Sequence, residues 1–207
     1  MIIAIIGADG AGKSTTAELL AKTLSDEYNA VYEKAFEEYF ILNKVLKLFK
    51  NKRDKLMRDV FVEATTRPNL IIRYIWPVVI YLDQLLLYIY IKLFKRHVIF
   101  VSDRYLYSFA ISWQYYGISN RLVEYLYFNF PQPDICILLY TDAETLMKRK
   151  GYQLVGRGSS YRISFFRKHL ELYNKLQKRF NFPAVNTTLG LPYTLECSLK
   201  IIKEKLN

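Results

Sequence analysis

The chain opens on Met1-Ile2-Ile3-Ala4-Ile5-Ile6, an apolar run that breaks at Gly7. A continuous apolar run of this length, bounded by glycine, predicts a parallel strand covered on both faces rather than a signal peptide. Residues 15–24 then carry Ala17, Leu19, Leu20, Ala21 and Leu24 at helical spacing. The opening is therefore strand, glycine loop, helix. The same change of period predicts further strands at 30–33, 97–102, 135–140 and 184–186. Between them it predicts a mostly helical stretch to about residue 66, which Pro68 ends or bends, and helices at 76–94, up to 128, at 143–150, up to 180 and at the C-terminal end. Asp142 is placed to cap the helix at 143–150. Residues 151–160, with three glycines and two serines, form the best candidate for a mobile loop.

Strands alternating with helices predict an α/β fold in which a parallel sheet lies between helices, in one domain covering 1–207. Ligands in such sheets bind at the carboxyl ends of the strands. The residues following Ile6, Ser102 and Tyr140 are thus the first places to look for chemistry.

One stretch, 74–91, is apolar enough to suggest a membrane span, but Pro77, Asp83 and Gln84 interrupt it. An aspartate at the centre of a span costs about 2.5 to 3.5 kcal/mol even on a lenient insertion scale. A soluble helix buried on several faces is the expectation, without stable membrane insertion.

Gly7-Ala8-Asp9-Gly10-Ala11-Gly12-Lys13-Ser14-Thr15 satisfies G-x-x-x-x-G-K-[ST] between a predicted strand and a predicted helix, the context this phosphate-binding motif requires. Its backbone N–H groups and the helix N-terminus attract phosphate, Lys13 reaches the β and γ phosphates of ATP, and the Ser14 hydroxyl ligates Mg²⁺. Asp103, at the end of the strand at 97–102, either holds the metal from the side opposite Ser14 or caps a helix. Arg104 either clamps a phosphate of the second substrate or forms a surface salt bridge.

Charge locates the anionic partner. The 207 residues include 30 basic and 19 acidic side chains, a formal charge of +11, and the 52% apolar content excludes a disordered chain. Nucleic acid, a membrane surface and phosphorylated small molecules all suit such an excess. Residues 148–179 carry +9 and residues 44–58 carry +6, whereas the remainder sums to −4. The larger share therefore surrounds the glycine-rich loop at 151–160, where ATP phosphates would need it. Cys136 and Cys197 lack spaced His or Cys partners, which suggests neither a disulfide framework nor a zinc site and points to a reducing, cytoplasmic setting.

The phosphate loop, together with Ser102-Asp103-Arg104-Tyr105-x-x-Ser108, resembles the thymidylate kinase family of P-loop nucleotide kinases. The similarity extends to Pro133-Asp134, to Leu146-Met147-Lys148-Arg149 and to residues 162–173, which covers nearly the whole chain. This resemblance implies a three-layer sandwich with a five-stranded parallel sheet, a homodimer, a mobile lid at about 150–162, and transfer of the γ-phosphoryl of ATP to dTMP with Mg²⁺. It also implies that Asp9 touches the acceptor's sugar hydroxyl, that Arg104 and Tyr105 belong to the acceptor site, and that Arg149 lies near adenine. Gly10 stands where some members carry a loop arginine, so Arg157 or Arg162 of the lid becomes the catalytic finger.

The departures fall on acceptor recognition. Asp83-Gln84 occupies the place of a base-reading arginine, Gln114 is offset by one residue, and Tyr32-Glu33-Lys34-Ala35 lacks the family's arginine. Gln84 could bond a pyrimidine and Arg67 or Arg73 could supply a phosphate contact, or these side chains could be structural. Two alternatives stay open: a kinase of the same fold acting on another nucleotide or small molecule, and a basic P-loop protein binding nucleic acid or membrane through aromatics interleaved with lysine and arginine.

Overall fold

The computed structural model describes residues 1–34, 36, 74–115, 117, 119–151 and 163–206. The expected helical stretch up to residue 66, the basic segment 44–58, Arg67 and Arg73 lie outside them, as do most of the expected lid and both candidate finger residues, Arg157 and Arg162.

Five parallel strands, β1 (Ile2–Ile6), β2 (Ala30–Tyr32), β3 (Ile99–Ser102), β4 (Ile135–Tyr140) and β5 (Ala184–Asn186), form one sheet in the order β2-β3-β1-β4-β5. Every side chain of β1 is buried, as its unbroken apolar run predicts. The order reverses at β1, which pairs with β3 on one side and β4 on the other. Its carboxyl end is therefore the topological switch point where open α/β sheets bind ligands. Asp134 fixes the amino end, accepting a 2.7 Å hydrogen bond from Ile2 N through Oδ2. β3 begins two residues later than the apolar pattern predicts. Its pairing starts at Ala30↔Ile99, which leaves His97 and Val98 in the connection.

Contacts divide the chain into two compact units. The first comprises Met1–Glu33, His97–Tyr105 and Pro133–Asn207. It holds the whole sheet with α1 (Lys13–Leu24) before β2, and, after β4, α5 (Ala143–Gly151), α6 (Ile163–Phe180) and α7 (Leu191–Leu206). Asp142 caps α5 as expected, its Oδ1 accepting from Thr145 N at 2.7 Å. Gly151, expected in the loop, closes this helix. α1 starts at Lys13 rather than at residue 15, so Lys13 and Ser14 belong to its first turn.

The second unit contains α2 (Trp76–Phe94), α3 (Leu106–Tyr115) and α4 (Arg121–Phe128). Pro77 does not interrupt α2, because it stands in the first turn, where its missing N–H has no intrahelical acceptor to lose. Tyr127 donates to Pro77 O at 2.8 Å, and the Tyr81 and Phe130 rings meet edge to face at 5.6 Å. Within the single chain the burial of α2 is one-sided. One face of α2 is buried (Pro77, Ile80, Asp83, Gln84, Leu87, Ile91), while Leu82, Leu86, Ile89 and Leu93 form an exposed stripe at i, i+4, i+7 and i+11. Among the described residues α2 is the helix long and apolar enough to cross a bilayer.

Candidate active site

The phosphate loop follows β1 and passes so close to β4 that Gly7, at φ +145, has no room for a side chain. A Cβ there would stand 2.3 Å from Leu139 O. The loop is braced by Ala11 N donating to Ala8 O at 3.1 Å. Lys13 curls back over it, its Nζ donating to Ala8 O at 3.0 Å and to Asp9 Oδ1 at 3.4 Å. Lys13 is almost wholly buried, and that burial pushes its ammonium below the usual lysine range against the opposing pull of Asp9.

Asp9 sits among cations. Arg104 Nη2 lies 3.7 Å from its Oδ1. Burial alone would raise the Asp9 carboxyl, but Lys13, Arg104 and Lys150 together outweigh it and hold the group below its ordinary value. Asp9 thus remains an acceptor-only carboxylate between two residues on which phosphate chemistry depends.

On the neighbouring side, Ser14 Oγ donates to Asp103 Oδ2. Asp103 is buried, and its Oδ1 has no hydrogen-bond partner. A buried carboxylate oxygen without a donor is costly unless a cation or water meets it. The donor set, one carboxylate and one hydroxyl, fits Mg²⁺, a hard ion that takes few protein oxygens and completes its shell with water and phosphate. No group of three or more His, Cys, Asp or Glu side chains that could hold a metal occurs among the described residues. Tyr32, at the carboxyl end of β2, lies close enough that burial and the Asp103 carboxylate drive its hydroxyl well above its ordinary value.

Arg149 closes the other end of the loop. It donates from Nη1 to Gly10 O at 3.4 Å and to Thr187 Oγ1 at 3.1 Å, and from Nη2 to Thr187 O at 2.8 Å. With Gly10, Gly12, Thr15 and Leu191 it lines a cleft of about 190 Å³ opening beside the start of α1.

The structure thus brings together Gly7, Ala8, Asp9, Gly10, Ala11, Gly12, Lys13, Ser14, Thr15, Asp103, Arg104 and Arg149 in the first unit. Tyr105 follows Arg104 directly and is fully buried. Gln84 is fully buried on α2 of the second unit. Four residues of the cluster escape the sequence reading: Tyr32, Lys150, His169 and Thr187. The Asp9 and Lys13 charges are felt at His169 of α6, whose Nδ1 lies 3.1 Å from Phe165 O. Tyr32 and Thr187 follow the carboxyl-end rule, had it been applied to β2 and β5 as well.

The thymidylate kinase family model matches residues 5–191. The probable thymidylate kinase of Methanocaldococcus jannaschii is 28% identical over 190 residues, covering 91% of this chain and 87% of that one. That of Metallosphaera sedula is 27% identical over 220 residues, covering 100% and 94%. Among solved structures, the thymidylate kinase of Candida albicans superposes with a TM-score of 0.66 at 19% identity, covering 98% of this chain and 91% of that one. Deoxyadenosine kinase of M. mycoides gives 0.57 at 19%, covering 100% and 99%. The fold is the three-layer α/β sandwich of the P-loop kinases, with the expected five-stranded parallel sheet. On the match over nearly its whole length, the chain belongs to the thymidylate kinase family of ATP-dependent kinases.

Proposed function

We propose that this protein transfers the γ-phosphoryl group of ATP to dTMP, giving dTDP and ADP. The observation that carries the reading is the meeting of Lys13 and Ser14, in the first turn of α1, with Asp9, Asp103 and Arg104 at the carboxyl ends of β1 and β3. The choice of dTMP rests on the relatives' names.

In this reaction a phosphate oxygen of the acceptor attacks the γ-phosphorus in line, the bond from that phosphorus to the β–γ bridging oxygen breaks, and ADP leaves with the electron pair. The acceptor phosphate is the nucleophile, so no strong base is required. Positioning and charge neutralisation are what the residues must supply. Lys13 turns from Ala8 O and Asp9 toward the β and γ phosphates, and Arg104 holds the acceptor phosphate. Asp9 keeps both cations in place and accepts from the acceptor's sugar hydroxyl. Ser14 and Asp103 would hold Mg²⁺, which when bound neutralises charge between the β and γ phosphates. Adenine lies by Arg149, along the cleft toward Leu191.

The same reading takes the protein as a cytoplasmic homodimer, in which a second copy covers the stripe Leu82, Leu86, Ile89 and Leu93. Apolar rows of this kind are uncommon on a free monomer surface. The test of the reaction is ADP formation from ATP and Mg²⁺ with a panel of ribo- and deoxynucleoside monophosphates. Saturable turnover with dTMP above all others supports the reading. Preference for another monophosphate moves the assignment to that acceptor, the outcome that the departures at Asp83-Gln84 and Tyr32–Ala35 would then explain.

A further inference from the structure

At the carboxyl ends of β2 and β3, three buried side-chain oxygens have no hydrogen-bond partner: Ser102 Oγ, Asp103 Oδ1 and the Tyr32 hydroxyl. Such atoms are costly, and two of them are chemical complements. An ionised carboxylate only accepts, whereas a phenol has a proton to donate. Strand register decides which of the three share a side of the sheet. Tyr32 pairs with Val101, and Glu33 N continues the ladder by donating to Val101 O at 3.0 Å. Paired residues of neighbouring strands face the same way and successive residues alternate. Tyr32, Val101 and Asp103 therefore lie on one face, and Ser102 on the other.

α1 covers the face that holds Tyr32 and Asp103. It packs on both β2 and β3, and its first turn reaches Asp103 Oδ2 through Ser14 Oγ. The phenol of Tyr32 feels Asp103, Ser14 and Glu18, the last two one turn apart on α1, and burial with the Asp103 charge keeps it protonated. Its proton thus stands beside the Asp103 oxygen that Ser14 leaves unengaged.

We propose that Tyr32 is a positioning residue for the Mg²⁺-holding pair. Its hydroxyl donates toward Asp103 Oδ1, directly or through one shared water, and so fixes the plane of the carboxylate that meets Ser14. Tyr32 is not itself a ligand. Holding the carboxylate in one orientation favours a hard ion that takes few protein oxygens and demands strict placement of each. The inference rests on the reading of Ser14 and Asp103 as the metal pair, and is independent of which monophosphate accepts the phosphoryl group.

Tyr32→Phe removes the hydroxyl and keeps the ring. Mn²⁺, followed by the electron paramagnetic resonance of the free ion, is titrated into equimolar enzyme and ADP for wild type, Tyr32→Phe, Asp103→Asn and the double variant. Tyr32→Phe is expected to weaken Mn²⁺ about tenfold, the scale for losing an outer partner of a ligating group. Metal-free ADP affinity, read by titration calorimetry, should stay within about twofold. Because Tyr32 acts through Asp103, its substitution should add less than about twofold in the Asp103→Asn background. With an active acceptor, kcat of Tyr32→Phe at saturating Mg²⁺ should return to within about threefold of wild type, the loss lying in the Mg²⁺ concentration at half-maximal rate. Wild-type Mn²⁺ affinity in Tyr32→Phe would overturn the assignment. So would an equal loss with and without the Asp103 carboxylate, or a matching loss of metal-free ADP binding, which marks a purely structural role. Unchanged Mn²⁺ binding in Asp103→Asn overturns the metal-pair reading and Tyr32 with it, whereas unchanged binding in Tyr32→Phe alone leaves the pair standing.

Discussion

Ser14 Oγ donates a hydrogen bond to Asp103 Oδ2, joining the first turn of α1 to the carboxyl end of β3 across 89 positions of sequence. Ser14 is exposed, and Asp103 is buried directly after β3 with its other oxygen, Oδ1, without a hydrogen-bond partner. As a Mg²⁺-holding pair they should fail together. Ser14→Ala and Asp103→Asn are each expected to lower kcat about a hundredfold and to raise the Mg²⁺ concentration at half-maximal rate. Turnover titrated against Mg²⁺ checks this, and unchanged Mg²⁺ dependence in both variants would contradict it.

Gly7 makes a prediction about stability rather than chemistry. An alanine there must place its Cβ 2.3 Å from Leu139 O or displace the loop from β4, at φ +145. The cost should be roughly 3 kcal/mol, combining steric overlap with backbone strain. For a chain of this size that lowers Tm by about 6 to 12 °C, measurable by thermal unfolding followed by circular dichroism.

Asp9 gives a dependence on pH whose sign is fixed. Its carboxyl is held below the ordinary value of 3.8, so between the folded value and 3.8 the unfolded chain binds more protons. The stabilisation is present above 3.8 and is lost as pH falls through the folded value. Urea unfolding should therefore show wild type more stable than Asp9→Asn near neutral pH, with the gap closing below about pH 4. A gap that stays constant into acid would show that Asp9 stabilises through something other than its charge.

The exposed stripe on α2 predicts the assembly. Sedimentation of the wild type at micromolar concentration should give a dimer, and Leu86→Glu with Leu93→Glu should give a folded monomer, because both positions are exposed within the chain and charges there disturb only an intermolecular face. A wild-type monomer would remove the dimer from the account.

Much of the site was legible because its signals are local. The apolar run Ile2–Ile6, the glycine spacing of 7–12 and Asp142 before α5 each act within a few residues, and each holds in the structure. Asp103 and Arg104 were legible through a rule of topology, since they end a buried strand. Lys150 over Gly10 and His169 near Asp9 were not, because the packing of α5 and α6 brings them to the loop from about 140 and 160 residues away, and no periodicity encodes such a meeting. The two faces of α2 were only half legible. Apolar residues all around a helix say that every face is covered by something, but not whether by the same chain.

The central claim is that Lys13 neutralises charge on a phosphoryl group in flight from ATP to a nucleoside monophosphate. The most direct measurement is the initial rate of ADP formation with Mg²⁺, ATP and dTMP, for wild type and Lys13→Ala side by side. Expected is saturable turnover by the wild type and a rate at least about a hundredfold lower in the variant, with the variant still folded. A Lys13→Ala protein that phosphorylates dTMP at close to the wild-type rate would contradict it.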